Sequence, residues 1–150
     1  MSAVFHPEDL SRLRTVLGRI SRMVDRQVSG GGLTRTQLSV LGVTARTGPI
    51  GVGDLAEVEG LNPTMLSRVV GKLEVLGLLR RSADPSDARV VRVEVTPAGR
   101  ELHERLRRER TELFGARIAD LPAEHATTLL GALPALEALA DQLAEARVSA

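Results

Sequence analysis

Three features of this 150-residue chain predict a mainly α-helical fold with one small β-hairpin, an α+β arrangement. Leucine, isoleucine and valine recur at spacings of three and four along several segments, the period of an amphipathic helix. One short segment breaks that period: Val91, Val93 and Val95 alternate with Arg92 and Glu94, preceded by the turn sequence Asp84-Pro85-Ser86-Asp87. Only two aromatics are present, Phe5 and Phe114, so the core must be built from Leu, Val, Ile and Ala, which suits packed helices.

The first helix carries Leu10, Leu13, Leu17, Ile20, Val24 and Val28 as one stripe, and Gly30, Gly31 and Gly32 end it. The stripe is narrow and heptad-like, the pattern of a helix that packs on a partner helix. Thr34 starts the second helix with Gln37 at capping-box spacing, Leu38, Leu41 and Ala45 form its apolar side, and Gly48-Pro49 stops it. Ile50 to Val52 fits a single edge strand, and Leu55, Ala56 and Val58 a short third helix ending at Gly60. Asn62-Pro63 is an N-cap followed by a proline at the first helical position. The helix it opens buries Leu66, Val69, Val70, Leu73 and Leu76, with Gly77 placed for a left-handed cap. Leu78 to Ser82 and Val91 to Val95 form the hairpin. Thr96-Pro97 repeats the cap-then-proline start for a long helix with Leu102, Leu106, Leu113 and Ile118 on one side. After Asp120 to Pro122 a last leucine-rich helix follows, with a kink expected at Pro134.

Composition narrows the function classes. Net charge is +1, so the global balance argues neither for nor against nucleic acid. Its distribution is uneven: Arg68, Lys72, Arg80, Arg81, Arg89 and Arg92 crowd the middle of the chain, and the C-terminal segment is acidic. There is no cysteine, which removes disulfides and thiolate metal sites. His6, His103 and His125 lie on different elements without metal-ligand spacing, so no metal and no cofactor are expected. Gly30-Gly31-Gly32 lacks the preceding strand of a dinucleotide site, and no acid–base or nucleophile constellation appears, so the chain reads as a non-enzyme. The N-terminus has no apolar signal core and no segment approaches the length of a membrane span; a soluble, cytoplasmic protein is expected.

Two short helices at a tight turn followed by a β-hairpin make a winged helix-turn-helix core. A helix fits the DNA major groove, where its N-terminal residues reach base edges. Thr64 and Ser67 are small enough to let the helix sink in, Arg68 can reach guanine or phosphate, and Lys72 one turn on suits phosphate; Asn62 and Pro63, which open the helix, are grouped with them on the DNA-binding face. Taken alone, Arg68 and Lys72 read as a solvated helix face; the basic patch and the order of elements turn them towards double-stranded DNA. Arg80 is divided between a pair with Asp87 and a phosphate contact, and Arg81 and Arg92 read as exposed hairpin charges. A second reading of the same lobe is a protein-docking winged helix that binds no DNA.

The runs Leu73-Glu74-Val75-Leu76-Gly77-Leu78-Leu79-Arg80-Arg81, Asp84-Pro85-Ser86-Asp87-Ala88-Arg89 and Val93-Glu94-Val95-Thr96-Pro97-Ala98-Gly99-Arg100 resemble the signature of the MarR family of transcriptional regulators. The resemblance is strongest from about Gly48 to Leu106. It implies one domain over 1–150, with a DNA-binding lobe at about 34–96 and dimerisation helices at 5–30 and 97–147. It implies a homodimer on a pseudo-palindromic operator, with Leu10, Leu13, Leu17, Leu106, Leu113, Leu136, Leu139 and Leu143 at the interface. The matching wing-tip residue is Arg89, which would enter the minor groove with Asp87 as its charge partner. Ala88 departs from the family pattern, where a basic residue or glycine is common. The resemblance further implies a repressor answering to a small lipophilic or aromatic effector, held between the dimer helices and the winged lobe by residues the sequence does not identify.

Overall fold

The computed structural model describes residues 5–28 and 30–148. The elements run α1 (Pro7–Gln27), α2 (Arg35–Thr47), β1 (Ile50–Gly51), α3 (Val52–Glu59), α4 (Pro63–Val75), β2 (Leu79–Ala83), β3 (Val91–Val95), α5 (Pro97–Ala119), α6 (Ala123–Gly131) and α7 (Leu133–Val148). The chain divides into two compact units, the first ending at Arg110 and the second beginning at Thr111. The division therefore falls inside α5.

In the first unit the helices begin where the sequence carries cap chemistry. The Gln37 amide donates to Thr34 Oγ1 at 3.3 Å and the Thr34 amide to Gln37 Oε1 at 2.8 Å, a complete capping box on α2. The Met65 amide donates to Asn62 Oδ1 at 2.8 Å, and Pro63 occupies the next position, where a missing N–H loses nothing. The same helix ends in a Schellman motif: the Gly77 amide bonds the Glu74 carbonyl and the Leu78 amide the Leu73 carbonyl, with Gly77 at φ 72°.

The core joins Val40 and Leu41 of α2, Leu55 of α3, Leu66, Val70 and Leu73 of α4, Leu79 of β2 and Val93 of β3. The strands form one antiparallel sheet in the order β1-β3-β2, with Ile50 opposite Val93 and Leu79 opposite Val95. Residues Ile50 and Gly51 thus supply the expected edge strand. Val52, expected in that strand, instead opens α3, because Gly51 is itself the extended N-cap residue. Leu76, expected in the core, is exposed. The left-handed turn at Gly77 follows immediately and sends Leu78 inward in its place.

α5 starts against the base of the hairpin. The Thr96 amide donates to the Leu78 carbonyl at 3.1 Å, its hydroxyl donates to the Gly77 carbonyl at 2.5 Å, and the same oxygen accepts from the Gly99 amide at 3.1 Å. A Cβ at Gly99 would lie 2.1 Å from the Leu78 carbonyl oxygen. Leu106, grouped by sequence with the interface leucines, is 2% exposed. A side chain already covered by its own chain offers no surface to a second one, so that assignment is withdrawn for Leu106.

The second unit contains the end of α5 with α6 and α7. The single kinked helix expected around Pro134 is two helices. Pro134 has no N–H and stands at the second position of α7, where none is needed, while the Ala135 and Leu136 amides both bond the Ala132 carbonyl. Leu139 and Leu143 are exposed, and Leu113 and Leu136 are half-buried. Among the described residues no helix is long and apolar enough to cross a membrane.

The two glycines Gly99 and Gly71 make opposite predictions. Gly99→Ala forces a methyl group into a backbone carbonyl and is expected to destabilise the fold by roughly 2–4 kcal/mol. Gly71 lies in the middle of α4 with nothing within 4 Å of a Cβ built on it. Gly71→Ala is therefore expected to stabilise by about 0.5–1 kcal/mol, the helix-propensity difference. Urea unfolding of both variants beside the wild type measures the two signs.

Candidate nucleic-acid interface

The N-terminal half of α4 presents Asn62, Pro63, Thr64, Ser67 and Arg68 to solvent, with Lys72 exposed one turn further on. Pro63, Thr64, Ser67 and Arg68 line a shallow surface depression. The inner stripe of Leu66, Val70 and Leu73 fixes which face of the helix turns outward. Among the described residues, no acidic side chain lies within ion-pair distance of Arg68 or Lys72. In the first turn of α4 Pro63 has no N–H, the Met65 amide is capped by Asn62 and the Leu66 amide bonds the Asn62 carbonyl, so the Thr64 amide and the positive end of the helix dipole share one face with Arg68 and Lys72.

The wing is organised by two carboxylates. Asp84 Oδ1 accepts the Ser86 amide at 2.7 Å and the Asp87 amide at 3.2 Å, and its Oδ2 pairs with Arg92 Nε at 2.5 Å. Asp87 takes Arg89 in a fork: Nε to Oδ1 and Nη2 to Oδ2, both at 3.0 Å, with the Arg89 amide also on Oδ1. The Arg89 side chain is 91% exposed, so the pair orients a projecting guanidinium whose remaining donors face solvent. The Ser86 amide first, then the Asp87 amide and Arg92, hold the Asp84 carboxyl below its ordinary pKa, with partial desolvation opposing. The Arg89 side chain first, then its amide, lowers Asp87, and Asp87 in turn raises Arg89.

Of the two partners considered for Asp87, the structure selects Arg89. Arg80 pairs across the ladder with Glu94 at 2.6 Å. Arg81 and Arg92, read from sequence as plain exposed charges, have specific partners: Arg92 anchors Asp84, and Arg81 reaches back to Glu74 and Ser67 of α4. The Asp84-Pro85-Ser86 turn favours Asp, Asn or Ser at its first position, so the amide-accepting role of Asp84 had a local signal; nothing local announced Arg92 as its ion-pair partner or the partners of Arg81.

A second feature of the first unit is a cavity of about 590 Å³ between α1, α2 and α5. Val28, Leu33 and Leu38 give it an apolar side, and Arg46, His103 and Arg110 a polar one. Arg35 and Asp25, also on its wall, are paired with each other. Among the described residues Arg46 and Arg110 have no acid partner. Burial first, and then Arg46, Arg107 and Arg110, push the His103 pKa below its ordinary value of 6.5, with Glu104 opposing, so the ring is neutral at pH 7. Among the described residues no group of three or more His, Cys, Asp or Glu side chains is placed to hold a metal ion.

A family model described as MarR family matches residues 33–91. An HTH-type transcriptional regulator of Mycobacterium tuberculosis is 32% identical over 132 residues, which is 88% of this chain and 92% of the relative. A mutant MarR from E. coli superposes with a TM-score of 0.73 at 22% identity, covering 90% of this chain and 98% of that one. NadR in complex with 4-hydroxyphenylacetate superposes with a TM-score of 0.63 at 25% identity, covering 96% of this chain and 95% of that one.

The wing carboxylates set a pH window. Both folded-state values lie below the ordinary 3.8, so the order they impose is fully present above 3.8 and is lost as pH falls through the lowered values. Amide exchange and chemical shifts of Ser86, Asp87 and Arg89 are expected to be unchanged from pH 8 to 5 and to move together only below about pH 4. Titration of these amides between pH 5 and 7 would contradict the arrangement.

Proposed function

The chain belongs to the MarR family of transcriptional regulators, and on that premise we propose that it acts as a homodimeric repressor reading a pseudo-palindromic operator with α4 and the wing. DNA binding and transcriptional regulation follow from the family. The finer reading rests on one observation above the others: Arg68 and Lys72 stand without acid partners on the outer face of α4, while Asp87 aims Arg89 from the wing tip of the same lobe. In this reading Asn62, Pro63, Thr64 and Ser67 approach the major groove, Arg68 a base edge, Lys72 and Arg80 the phosphates, and Arg89 the minor groove.

Pairing of two chains is supported by α1, which buries none of its residues although Leu10, Leu13, Leu17 and Ile20 form a continuous stripe along it. An uncovered apolar stripe of that length in a water-soluble helix calls for a second surface. Leu139 and Leu143 are exposed in the second unit in the same way, with Leu113 and Leu136 half-covered. Two α4 helices presented about 34 Å apart then meet successive major grooves.

Fluorescence anisotropy on duplexes selected by the wild-type protein from a random library tests this. Binding is expected to saturate at two chains per site and to weaken steeply with salt, by about 0.9 in log–log slope per phosphate. Arg68→Ala and Arg89→Ala are each expected to lose about tenfold or more. Salt-insensitive binding, or binding indifferent to both substitutions, points instead to a protein-docking lobe.

The effector belongs in the cavity between α1, α2 and α5, whose volume is that of small-molecule sites. Two cations without acid partners facing an aliphatic wall suit an amphipathic anion, the class to which the neighbour's 4-hydroxyphenylacetate belongs. The acid is expected to raise the melting temperature and release the operator, and its uncharged amide to do neither. At 100-fold excess over Kd the stabilisation is about 2.7 kcal/mol. Arg46→Gln with Arg110→Gln is expected to abolish the difference between acid and amide. Equal responses to both compounds in the wild type would refute an anion site.

A further inference from the structure

We propose that Arg81 is a positioning residue for operator recognition: it clamps the recognition helix to the wing so that the two DNA-reading elements are presented as one rigid body. The proposal rests on the DNA-binding reading above. Four hydrogen bonds carry it. The Arg81 amide donates to Glu74 Oε1 at 3.1 Å and its Nη1 to Glu74 Oε2 at 2.7 Å. Its Nη2 donates to both the carbonyl and the hydroxyl oxygen of Ser67, at 3.1 and 3.2 Å.

Ser67 and Glu74 lie two turns apart on one face of α4, so a single guanidinium, met partway by the Glu74 side chain, links two positions about 10 Å apart along the helix axis. The pair is well covered for surface charges: Arg81 is 34% and Glu74 27% exposed, against 62% for neighbouring Arg80. The other hairpin cations hold partners within the hairpin itself, Arg80 on Glu94, Arg89 on Asp87 and Arg92 on Asp84. Arg81 is the one whose partners, among the described residues, lie on α4. The core fixes the inner face of α4 through Leu66, Val70 and Leu73; Arg81 fixes its flank against β2.

The clamp also defines Ser67. Its oxygen accepts from Arg81, so its O–H is left to donate, and it faces DNA as an oriented donor for a phosphate or base-edge acceptor. A two-stranded wing tip and a helix read different grooves, and their relative placement decides whether both sets of contacts form at once.

The test compares Arg81→Ala, Arg81→Lys and Glu74→Gln with the wild type on the library-selected duplex and on an unrelated duplex, across a salt series, with melting curves for each. Glu74→Gln gives the discriminating sign. Removing a negative charge beside a DNA-facing helix strengthens binding by simple electrostatics, whereas loss of the clamp weakens it. The expected result is weaker operator binding for Glu74→Gln and for Arg81→Ala. The loss is at least about tenfold, a part of the 10³–10⁷ margin of specific over non-specific binding. The salt slope of Arg81→Ala is expected to match the wild type, and on the unrelated duplex each variant is expected to shift only by the small electrostatic effect of its changed charge, well short of the loss on the operator. Arg81→Lys, which keeps the Glu74 pair but not the fork to Ser67, should fall between. Tighter binding by Glu74→Gln, or a slope shallower by about 0.9 for Arg81→Ala, would make Arg81 a phosphate contact and overturn the proposal. Should Arg81→Ala fail to fold, Arg81→Lys and Glu74→Gln decide alone. Failure of the wild type to bind any duplex overturns the DNA reading itself, an outcome the variants do not share.

Discussion

The carbonyl groups of Gly77 and Leu78 are where the winged lobe is held together. They follow the end of α4 and precede β2, and both are taken by Thr96 at the end of β3, which in the same stroke caps α5 through the Gly99 amide. Four elements are joined by one residue's amide and hydroxyl. The approach is close enough that position 99 has no room for a side chain: a Cβ would stand 2.1 Å from the Leu78 oxygen. From this joint the ladder begins at once, with Leu79 opposite Val95. The hairpin's direction, the exit of α5 and the burial of Leu78 and Leu79 all follow from it.

Charge is handled differently on the hairpin and on the helix. Nearly every hairpin charge is matched by a neighbour a few residues or one strand away. Arg80 faces Glu94 in register, Arg92 holds Asp84, and Arg89 is forked by Asp87. Exposed pairs of this kind add little to stability. Their contribution is geometric: they hold a short loop and a long side chain in one arrangement in water. The outer face of α4 has the opposite treatment, with Arg68 and Lys72 left unmatched. Cations that no acid compensates remain available to an anion from outside the chain.

Much of this was legible in the sequence because it is local. Caps at Thr34, Asn62 and Thr96 and the glycine stop at Gly77 each depend on residues within four positions, and all are realised; the alternating strand forms too, with Val93 buried but Val91, at its outer end, exposed. The unforeseen features depend on the outcome of several local choices at once. Leu76 continues the apolar period of α4, yet the helix ends one residue earlier, so the periodic position is lost to the cap. Pro134 was foreseen as a kink, but whether a chain bends or restarts there turns on which amides the preceding carbonyl accepts. Leu106 shares its spacing with exposed leucines, and period alone does not say which side of a long helix is already covered. The partners of Arg81 needed the register of β2 against α4, a tertiary fact. The exposure of the α4 polar face and the Asp87–Arg89 pair were readable, while the cavity was not, since its walls come from three separate helices.

The position of that cavity relates to how such a lobe could be switched. The lobe is internally stiff: a continuous leucine and valine core, the Thr96 joint and the Arg81 links bind α4 to the sheet from several sides. A packed body of this kind does not deform continuously, so the effector response proposed above would have to move the lobe as a whole. The hinge available is where α1 meets α2. There Gly31 and Gly32 adopt left-handed conformations, and the side-chain links across it run from Arg35 to Asp25 and Ser21. The cavity opens beside those links and includes their residues in its wall. In the proposed response, an anion that competed for Arg35, or drew Arg46 and Arg110 together, would change the angle between α1 and the lobe and leave the reading surface intact. In a dimer joined through α1, the quantity altered is the separation of the two recognition helices, which operator binding tolerates least.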